Sequence, residues 1–180
     1  MKKILKLTVI LCLVCAVVAG ILGVVNEFTY ERIEQQQLEK TNKAYAAVLE
    51  SESYTDVPFD KEAFPTIDKI NEASNGEGWV VVTSFSGAQS KLTMAVGVSR
   101  DFKCTGISII KHAETSGLGA NAASTAKVGV DFRAQFVGED ENVAIKKMGG
   151  NIDALAGATI TSRSVANATA ESIRAVMALG

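Results

Sequence analysis

The segment Lys91-Leu-Thr-Met-Ala-Val-Gly-Val-Ser99 gives the clearest indication of the fold class, because its apolar residues alternate along the sequence. Successive side chains of a β-strand point to opposite faces, so Leu92, Met94, Val96 and Val98 would share one face. Alternation of this kind is typical of a strand that is buried on one side. The segment therefore predicts a strand in a sheet with a packed face.

Two more segments near this strand have the composition of strands. Residues 79–83 are short and β-branched, and residues 104–110 end in a run of isoleucines. With residues 91–99 they predict an antiparallel meander of about three strands. Residues 53–78 hold both prolines and an Asn-Gly-Glu-Gly turn signal, so we expect loops and short elements before the sheet begins.

Helical patterns flank the predicted sheet. Residues 27–52 are charged, free of Gly and Pro, and carry apolar residues at loosely helical spacing, which predicts a stalk or packing helix. Residues 124–136 predict a short helix. The last predicted helix covers residues 162–179, with Thr161 and Ser162 as candidate N-caps. Its expected buried face consists of Val165, Ala168, Ile173 and Val176.

An uncharged run near the N-terminus, residues 7–25, predicts a membrane-spanning helix. At ~1.5 Å rise per residue it spans roughly 28 Å, close to the hydrocarbon thickness of a bilayer. Lys2, Lys3 and Lys6 precede it, so we expect a single-pass protein of the plasma or inner membrane, with a cytoplasmic N-terminus and an extracytoplasmic main domain. The alternative is a cleaved signal peptide, for which residues 17–19 would form the cleavage site.

These patterns predict an α+β fold, in which a single N-terminal transmembrane helix precedes a small extracytoplasmic domain with an antiparallel sheet and flanking helices. We divide the chain into residues 1–26, the cytoplasmic N-terminus and transmembrane helix, and residues 27–78, a helical stalk and connecting segment. Residues 79–180 form the predicted main domain.

Composition excludes several classes of function. The chain has 180 residues, with 18 Lys and Arg against 20 Asp and Glu, so it lacks a large basic surplus and nucleic-acid binding has little electrostatic support. Cys12 and Cys15 lie in the apolar run, where we interpret them as small apolar residues. Cys104 lies in a predicted strand and cannot form a disulfide inside the main domain. One histidine, His112, does not make a metal site.

Residues 153–162, Asp-Ala-Leu-Ala-Gly-Ala-Thr-Ile-Thr-Ser, carry the strongest chemical signal. Small residues and hydroxyls stand just before a predicted helix N-terminus, where unpaired backbone amides favour a phosphate. From the residues alone, the alternative is an ordinary turn followed by an N-cap. Residues 114–119, Glu-Thr-Ser-Gly-Leu-Gly, form a second glycine-bearing loop earlier in the chain.

Both segments resemble motifs of the FMN-binding domain family. Residues 153–159 resemble its flavinylation motif, an Asp, two variable residues, Ser or Thr, then Gly-Ala-Thr, with Ala156 at the Ser or Thr position. Residues 114–119 resemble its Glu-Thr-Pro-Gly-Leu-Gly loop, with Ser116 in place of proline. The resemblance covers roughly residues 79–180 and implies that FMN is attached covalently to Thr159 through a phosphoester, installed by a separate flavin transferase.

Carried over residue by residue, the resemblance implies further contacts with FMN. Leu118 would pack on the ring system, and Glu114 and Thr115 would meet its heteroatoms or ribityl chain. The remaining candidate contacts lie in the two glycine motifs and their continuation: Gly119, Gly157, Ala158, Thr161 and Ser162. Arg163 is a further candidate apart from the resemblance, because it follows the second motif directly and its charge suits a phosphate. We expect no metal ligand and no residue that is catalytic by itself.

With its single N-terminal helix and short length, the chain is similar to the G subunit of Rnf-type ferredoxin:NAD oxidoreductases. This implies an electron-transfer protein of an ion-translocating membrane complex, with the other proteins of that complex and membrane lipid as partners. The alternatives are a component like the C subunit of a sodium-pumping NADH:quinone reductase, a stand-alone extracellular flavoprotein, and a noncatalytic binding module.

Overall fold

The computed structural model describes residues 2–179, apart from the side chains of Lys2, Glu31 and Glu34. The chain forms two compact units, Met1–Lys40 and Thr41–Gly180. Helix α1, Lys2–Val48, runs through the first unit and contributes its last turns to the second.

In the first unit, α1 exposes its apolar side chains. All described side chains of residues 3–40 are exposed, including Leu11, Val18 and Leu22 in the middle of the apolar run. By length and composition, the helical stretch from Lys3 to Val48 can cross a membrane. Lipid would remove this apolar surface from water, so we expect this unit to lie in a bilayer.

The second unit contains one antiparallel sheet whose strands follow each other in space as they do in the chain. The strands are β1 (Tyr54–Asp56), β2 (Ile67–Ala73), β3 (Gly78–Ser86), β4 (Lys91–Ser99) and β5 (Cys104–Lys111). Two helices follow, α2 (Lys127–Ala134) and α3 (Thr159–Met177), together with short 3-10 helices at Gly119–Ala123 and Lys146–Met148. The α+β prediction is therefore confirmed.

Strand β4 shows why the sheet is packed on both faces. Leu92, Met94, Val96 and Val98 point to the main core, where they meet residues of α2 and α3. Ala95 points the other way, into a smaller cluster with Ala44, Tyr45 and Val48 from the end of α1 and with Leu49, the residue after it. The alternation that predicted this strand is thus confirmed residue by residue.

The sheet has five strands, not about three, because β1 and β2 lie in the segment that we predicted as a connection. In β2, Ile67 and Ile70 are both fully buried although they are three residues apart. This is possible because a register shift interrupts the strand between Ile67 and Lys69. The irregularity breaks the period-2 pattern that identifies a strand in a sequence.

Helix α3 packs as predicted but begins earlier. Its predicted buried face is confirmed at Val165, Ala168, Ile173 and Val176. The N-cap position is held by Ala158, without a side-chain cap hydrogen bond, and Thr161 and Ser162 lie inside the first turn. The predicted caps are therefore wrong, because both hydroxyls make other hydrogen bonds.

Candidate functional site

The two glycine motifs meet at the N-terminus of α3. Gly157 has a φ of +69°, and a Cβ added to it would lie 2.8 Å from the Leu118 Cδ2 atom. Gly117, just before Leu118, also has a positive φ, of +76°. Glycine is the residue that adopts such a backbone at least cost, and at position 157 it also admits the leucine. Residues far apart in the sequence thus share one surface.

A cavity of about 320 Å³ opens beside this contact. Thr159, the first residue of α3, is half-buried and lines it. The first amides of a helix have no partner within the helix, so they offer hydrogen-bond donors at this end. The other lining residues are Lys146, Lys147, Asp153, Ala154, Leu155, Ala156 and Gly157.

Two lysines give the cavity wall its charge. The Lys146 Nζ atom lies 2.7 Å from the Asp153 Oδ2 atom, and both side chains are exposed. Lys147 is exposed next to it, so cationic groups outnumber carboxylates along this wall. A Gln135 side chain holds the backbone of Asp153 from behind, because its Oε1 atom accepts a hydrogen bond from the Asp153 N–H at 2.7 Å. A basic wall beside the half-buried Thr159 suits an anionic group.

Glu114 begins the loop that contains Leu118, and the residue is only 8% exposed. Its Oε1 atom accepts hydrogen bonds from the Gln89 N–H at 3.1 Å, the Ser90 N–H at 2.9 Å and the Ser90 hydroxyl at 3.1 Å. Its Oε2 atom accepts from the Thr161 hydroxyl at 2.7 Å and the Ala88 N–H at 3.3 Å. Both oxygens are therefore used within the protein.

These contacts change the acidity of Glu114. Burial by itself raises the pKa of a carboxyl group, because it disfavours the charged form. Here the hydrogen bonds from Thr161, Gln89 and Ser90 outweigh burial and lower the pKa to about 2, from an ordinary value of 4.5. The carboxylate is thus charged at any physiological pH.

The remaining predicted site residues fall into two groups. Thr161 and Ser162 are fully buried, and the Ser162 hydroxyl donates to the Ala158 carbonyl while accepting from the Leu155 N–H. Ala158 and Gly119 are buried too. Exposed members are Thr115, Leu118, Gly157 and Arg163. Of these, Thr115 donates its hydroxyl to the Gln89 side chain at 2.7 Å.

Three contributors to this region were hard to foresee from local sequence. The turn between β3 and β4, residues 87–90, surrounds Glu114, and nothing local indicates that it folds onto the later loop. Gln135 and the pair Lys146 and Lys147 reach the site around Thr159 only through the tertiary fold. For the two lysines, the sequence does offer a signal, since they form a basic pair a few residues before Asp153.

Two other groups that the sequence singled out make none of these hydrogen bonds to Glu114. Cys104 lies in β5, where a strand was predicted, and its burial raises the pKa of its thiol to about 12. The His112 Nδ1 atom is buried, with no hydrogen-bond partner among the described residues. Within residues 2–179, no group of three His, Cys, Asp or Glu side chains could hold a metal ion.

Comparison with known proteins places this geometry in a family. A model of the FMN-binding domain matches residues 87–174, and a model of the RnfG N-terminal region matches residues 1–48. The G subunit of an ion-translocating oxidoreductase complex from Methanosarcina acetivorans is 31% identical, over 93% of this chain and 91% of the relative. The chain belongs to the G-subunit family of ion-translocating oxidoreductase complexes.

Two further members of the G-subunit family show its breadth. The G subunit of the Na⁺-translocating ferredoxin:NAD⁺ oxidoreductase complex from Acetobacterium woodii is 34% identical, over 96% of this chain and 91% of the relative. The G subunit from Pseudomonas aeruginosa is 30% identical, over 96% of this chain and 88% of the relative. The predicted resemblance, with its FMN-binding domain in a redox protein of a multi-subunit oxidoreductase, is confirmed.

Proposed function

We propose that this chain carries FMN covalently attached through its phosphate to Thr159. The single observation that supports the proposal most is the position of Thr159 at the start of α3, half-buried in the cavity lined by Lys146 and Lys147. Free helix amides and two cationic side chains suit the negative charge of a phosphodiester.

The residues around Thr159 fit such a group. Ala156 and Gly157 leave the cavity open next to the hydroxyl, and the exposed Leu118 side chain lies against Gly157 as an apolar surface for a flat ring. Arg163 is exposed one helical turn after Thr159 and on the same side of α3, outside the set of residues that line the cavity. Three buried residues would stabilise the site without contacting the cofactor, since their polar atoms already have partners within the protein: Glu114, Thr161 and Ser162.

Attachment needs a second protein and an activated flavin. A new ester bond joins the Thr159 Oγ1 atom to the phosphorus, the hydroxyl proton leaves to a base, and a phosphoanhydride bond of the donor breaks. The donor is therefore a flavin dinucleotide, whose other nucleotide half leaves, and the catalyst is a flavin transferase that acts on the exposed end of α3. The bound flavin supplies the redox chemistry, and this chain positions it.

The role of the loaded protein is electron transfer within an ion-translocating complex of the ferredoxin:NAD⁺ oxidoreductase kind. Its partners are the other proteins of that complex and the membrane lipid around residues 7–25. We further propose that the N-terminus is cytoplasmic and that Thr41–Gly180 lies on the outer side of the membrane, because Lys2, Lys3 and Lys6 precede the apolar run.

Replacement of Thr159 tests the attachment. In cells that contain the transferase, we expect the wild-type protein to gain the mass of FMN minus water on the peptide with Thr159, and to fluoresce in a denaturing gel. Thr159→Ala should lose both signals, because alanine has no nucleophilic oxygen. Thr125→Ala, at an exposed loop threonine, is the matched control and should keep both.

Persistence of the covalent flavin in Thr159→Ala would contradict the attachment site. An unmodified wild-type chain that copurifies with no chromophore would instead favour the noncatalytic module. Flavin-loaded protein that never copurifies with other membrane proteins would favour a stand-alone flavoprotein.

A further inference from the structure

A buried hydrogen bond to a charged group joins the two motifs of the site. The Glu114 carboxylate accepts the Thr161 hydroxyl at 2.7 Å, although the two residues are 47 positions apart in the sequence. A buried charge is costly unless hydrogen bonds satisfy it, and here five donors do so. The donors come from the β3–β4 turn and from α3, so the carboxylate holds three separate segments together.

The surrounding backbone is shaped to admit this carboxylate. A Cβ added to Gly119 would lie 2.4 Å from the Glu114 Oε2 atom and 2.7 Å from the Thr161 Oγ1 atom. A Cβ added to Gly87 would lie 2.6 Å from the Oε1 atom. Such distances are far below a normal contact, so any side chain at either glycine would displace the carboxylate or the loop. The glycine at position 119 thus serves the contact between Glu114 and Thr161.

The contact lies in the same helical turn as Thr159. Helix residues are about 100° apart around the axis, so Thr159 and Thr161 point about 200° apart in the first turn. Thr161 is fully buried against Glu114, while Thr159 lines the cavity. No side chain caps the helix at Ala158, and the Ser162 hydroxyl holds the turn locally through its bonds with Leu155 and Ala158. The bond from Thr161 to Glu114 ties the same turn to the Leu118 loop.

We propose that Glu114 and Thr161 are a positioning pair, which docks the first turn of α3 onto the Leu118 loop and thereby presents Thr159 to the flavin transferase. This inference rests on the proposed attachment at Thr159. It assigns Glu114 to the support of the site and not to a direct contact with the cofactor. Neither residue touches the reacting atoms.

Removal of the Thr161 hydroxyl tests the pair. Thr161→Val keeps the shape of the side chain but cannot donate to Glu114. We expect purified transferase to modify this variant about tenfold to a hundredfold more slowly than wild type, because a displaced acceptor reacts slowly. Thr161→Ser retains the hydroxyl and should recover most of the rate.

Thr169→Val is the matched control. Thr169 is also fully buried in α3, but its hydroxyl donates to the Val165 carbonyl within the helix, at 2.9 Å. The Thr169→Val variant should lose about as much stability as Thr161→Val and keep the wild-type rate of modification. Amide hydrogen exchange on the unmodified proteins gives a second readout. Thr161→Val should speed exchange at Gln89, Ser90 and the first turn of α3, and Thr169→Val should not.

The outcomes separate this inference from the proposed attachment. If wild type is modified and Thr161→Val is modified equally fast, the positioning pair is overturned and the Thr159 assignment stands. Equal slowing by Thr161→Val and Thr169→Val also overturns it, since general stability would then explain the loss. If wild type is never modified at Thr159, both the attachment and the pair are wrong.

Discussion

Among individual residues, Glu114 is the one to which the structure adds most. The loop motif indicated a residue that meets the cofactor, and that role stays a prediction. In the structure Glu114 is 8% exposed, and both oxygens of its carboxylate accept hydrogen bonds. A side chain in this state is committed to the fold around it, because any new partner would have to replace an existing one.

The acidity of Glu114 makes its contribution dependent on pH. Its pKa is about 2 in the folded protein and near 4.5 when unperturbed. A carboxyl group whose pKa is depressed by folding stabilises the protein fully above the unperturbed value, and this stabilisation is lost as the pH falls toward the folded value. After allowance for screening by nearby solvent, we expect Glu114→Gln to cost roughly 1–3 kcal/mol at pH 7. The difference from wild type should shrink as the pH falls between these two pKa values.

Thermal unfolding from neutral pH down to about pH 2.5 measures this dependence. Glu62→Gln, at an exposed carboxylate, is the control and should follow the wild-type curve. A gap between wild type and Glu114→Gln that stays constant down to acid pH would show that the charge of Glu114 is unimportant for the fold.

Among the secondary-structure elements, α3 both builds the core and presents the site. Its inward side chains include Val165, Ile173 and Val176, all 1% exposed or less, which pack on the sheet. Its first turn carries Thr159 at the cavity and Ile160 at the surface, the latter 52% exposed. The helix can pack on the sheet and also present the site, because its buried face runs along its length while Thr159 at its N-terminal end lines the cavity.

Two isoleucines of this helix give a matched comparison. We expect Ile173→Ala to lower the free energy of unfolding by about 2–5 kcal/mol, because it leaves a cavity in a close-packed core. Ile160→Ala should change it by less than about 0.5 kcal/mol, because its side chain is already half in water. Chemical denaturation of Thr41–Gly180 within the full chain measures both. Equal losses would contradict the assignment of faces.

Taken as a whole, the molecule combines an apolar helix with a folded unit that contains the site. The side chains of the apolar run are exposed within Met1–Lys40, whereas Thr41–Gly180 has its own cores on both faces of the sheet. This division fits a domain held at a membrane near partner proteins. Its proposed orientation follows from the three lysines before the run.

Cysteine labelling in intact cells tests the orientation. With Cys12 and Cys15 changed to alanine, we expect a membrane-impermeant maleimide to label Thr125→Cys and to leave Lys3→Cys unlabelled until the membrane is opened. The native Cys104 should stay silent in the folded protein, because it is 1% exposed and its thiol pKa is about 12. Labelling of Lys3→Cys alone would reverse the proposed orientation.

Local sequence patterns were sufficient for the elements that do not depend on distant residues. Regular alternation identified β4, an uncharged run identified the candidate membrane helix, and helical spacing identified the buried face of α3. Strand β2 carries no such pattern, because a register shift interrupts the alternation between Ile67 and Lys69.

The way in which the two glycine motifs work together depends instead on tertiary packing. Glu114 and Thr161 are distant in the chain, and their contact requires the β3–β4 turn, the Leu118 loop and α3 to pack around one carboxylate. Likewise, Lys146 and Lys147 reach the cavity at Thr159 through the fold alone. Local patterns report which element a residue joins, whereas a buried charge is satisfied by whichever donors the folded chain brings to it.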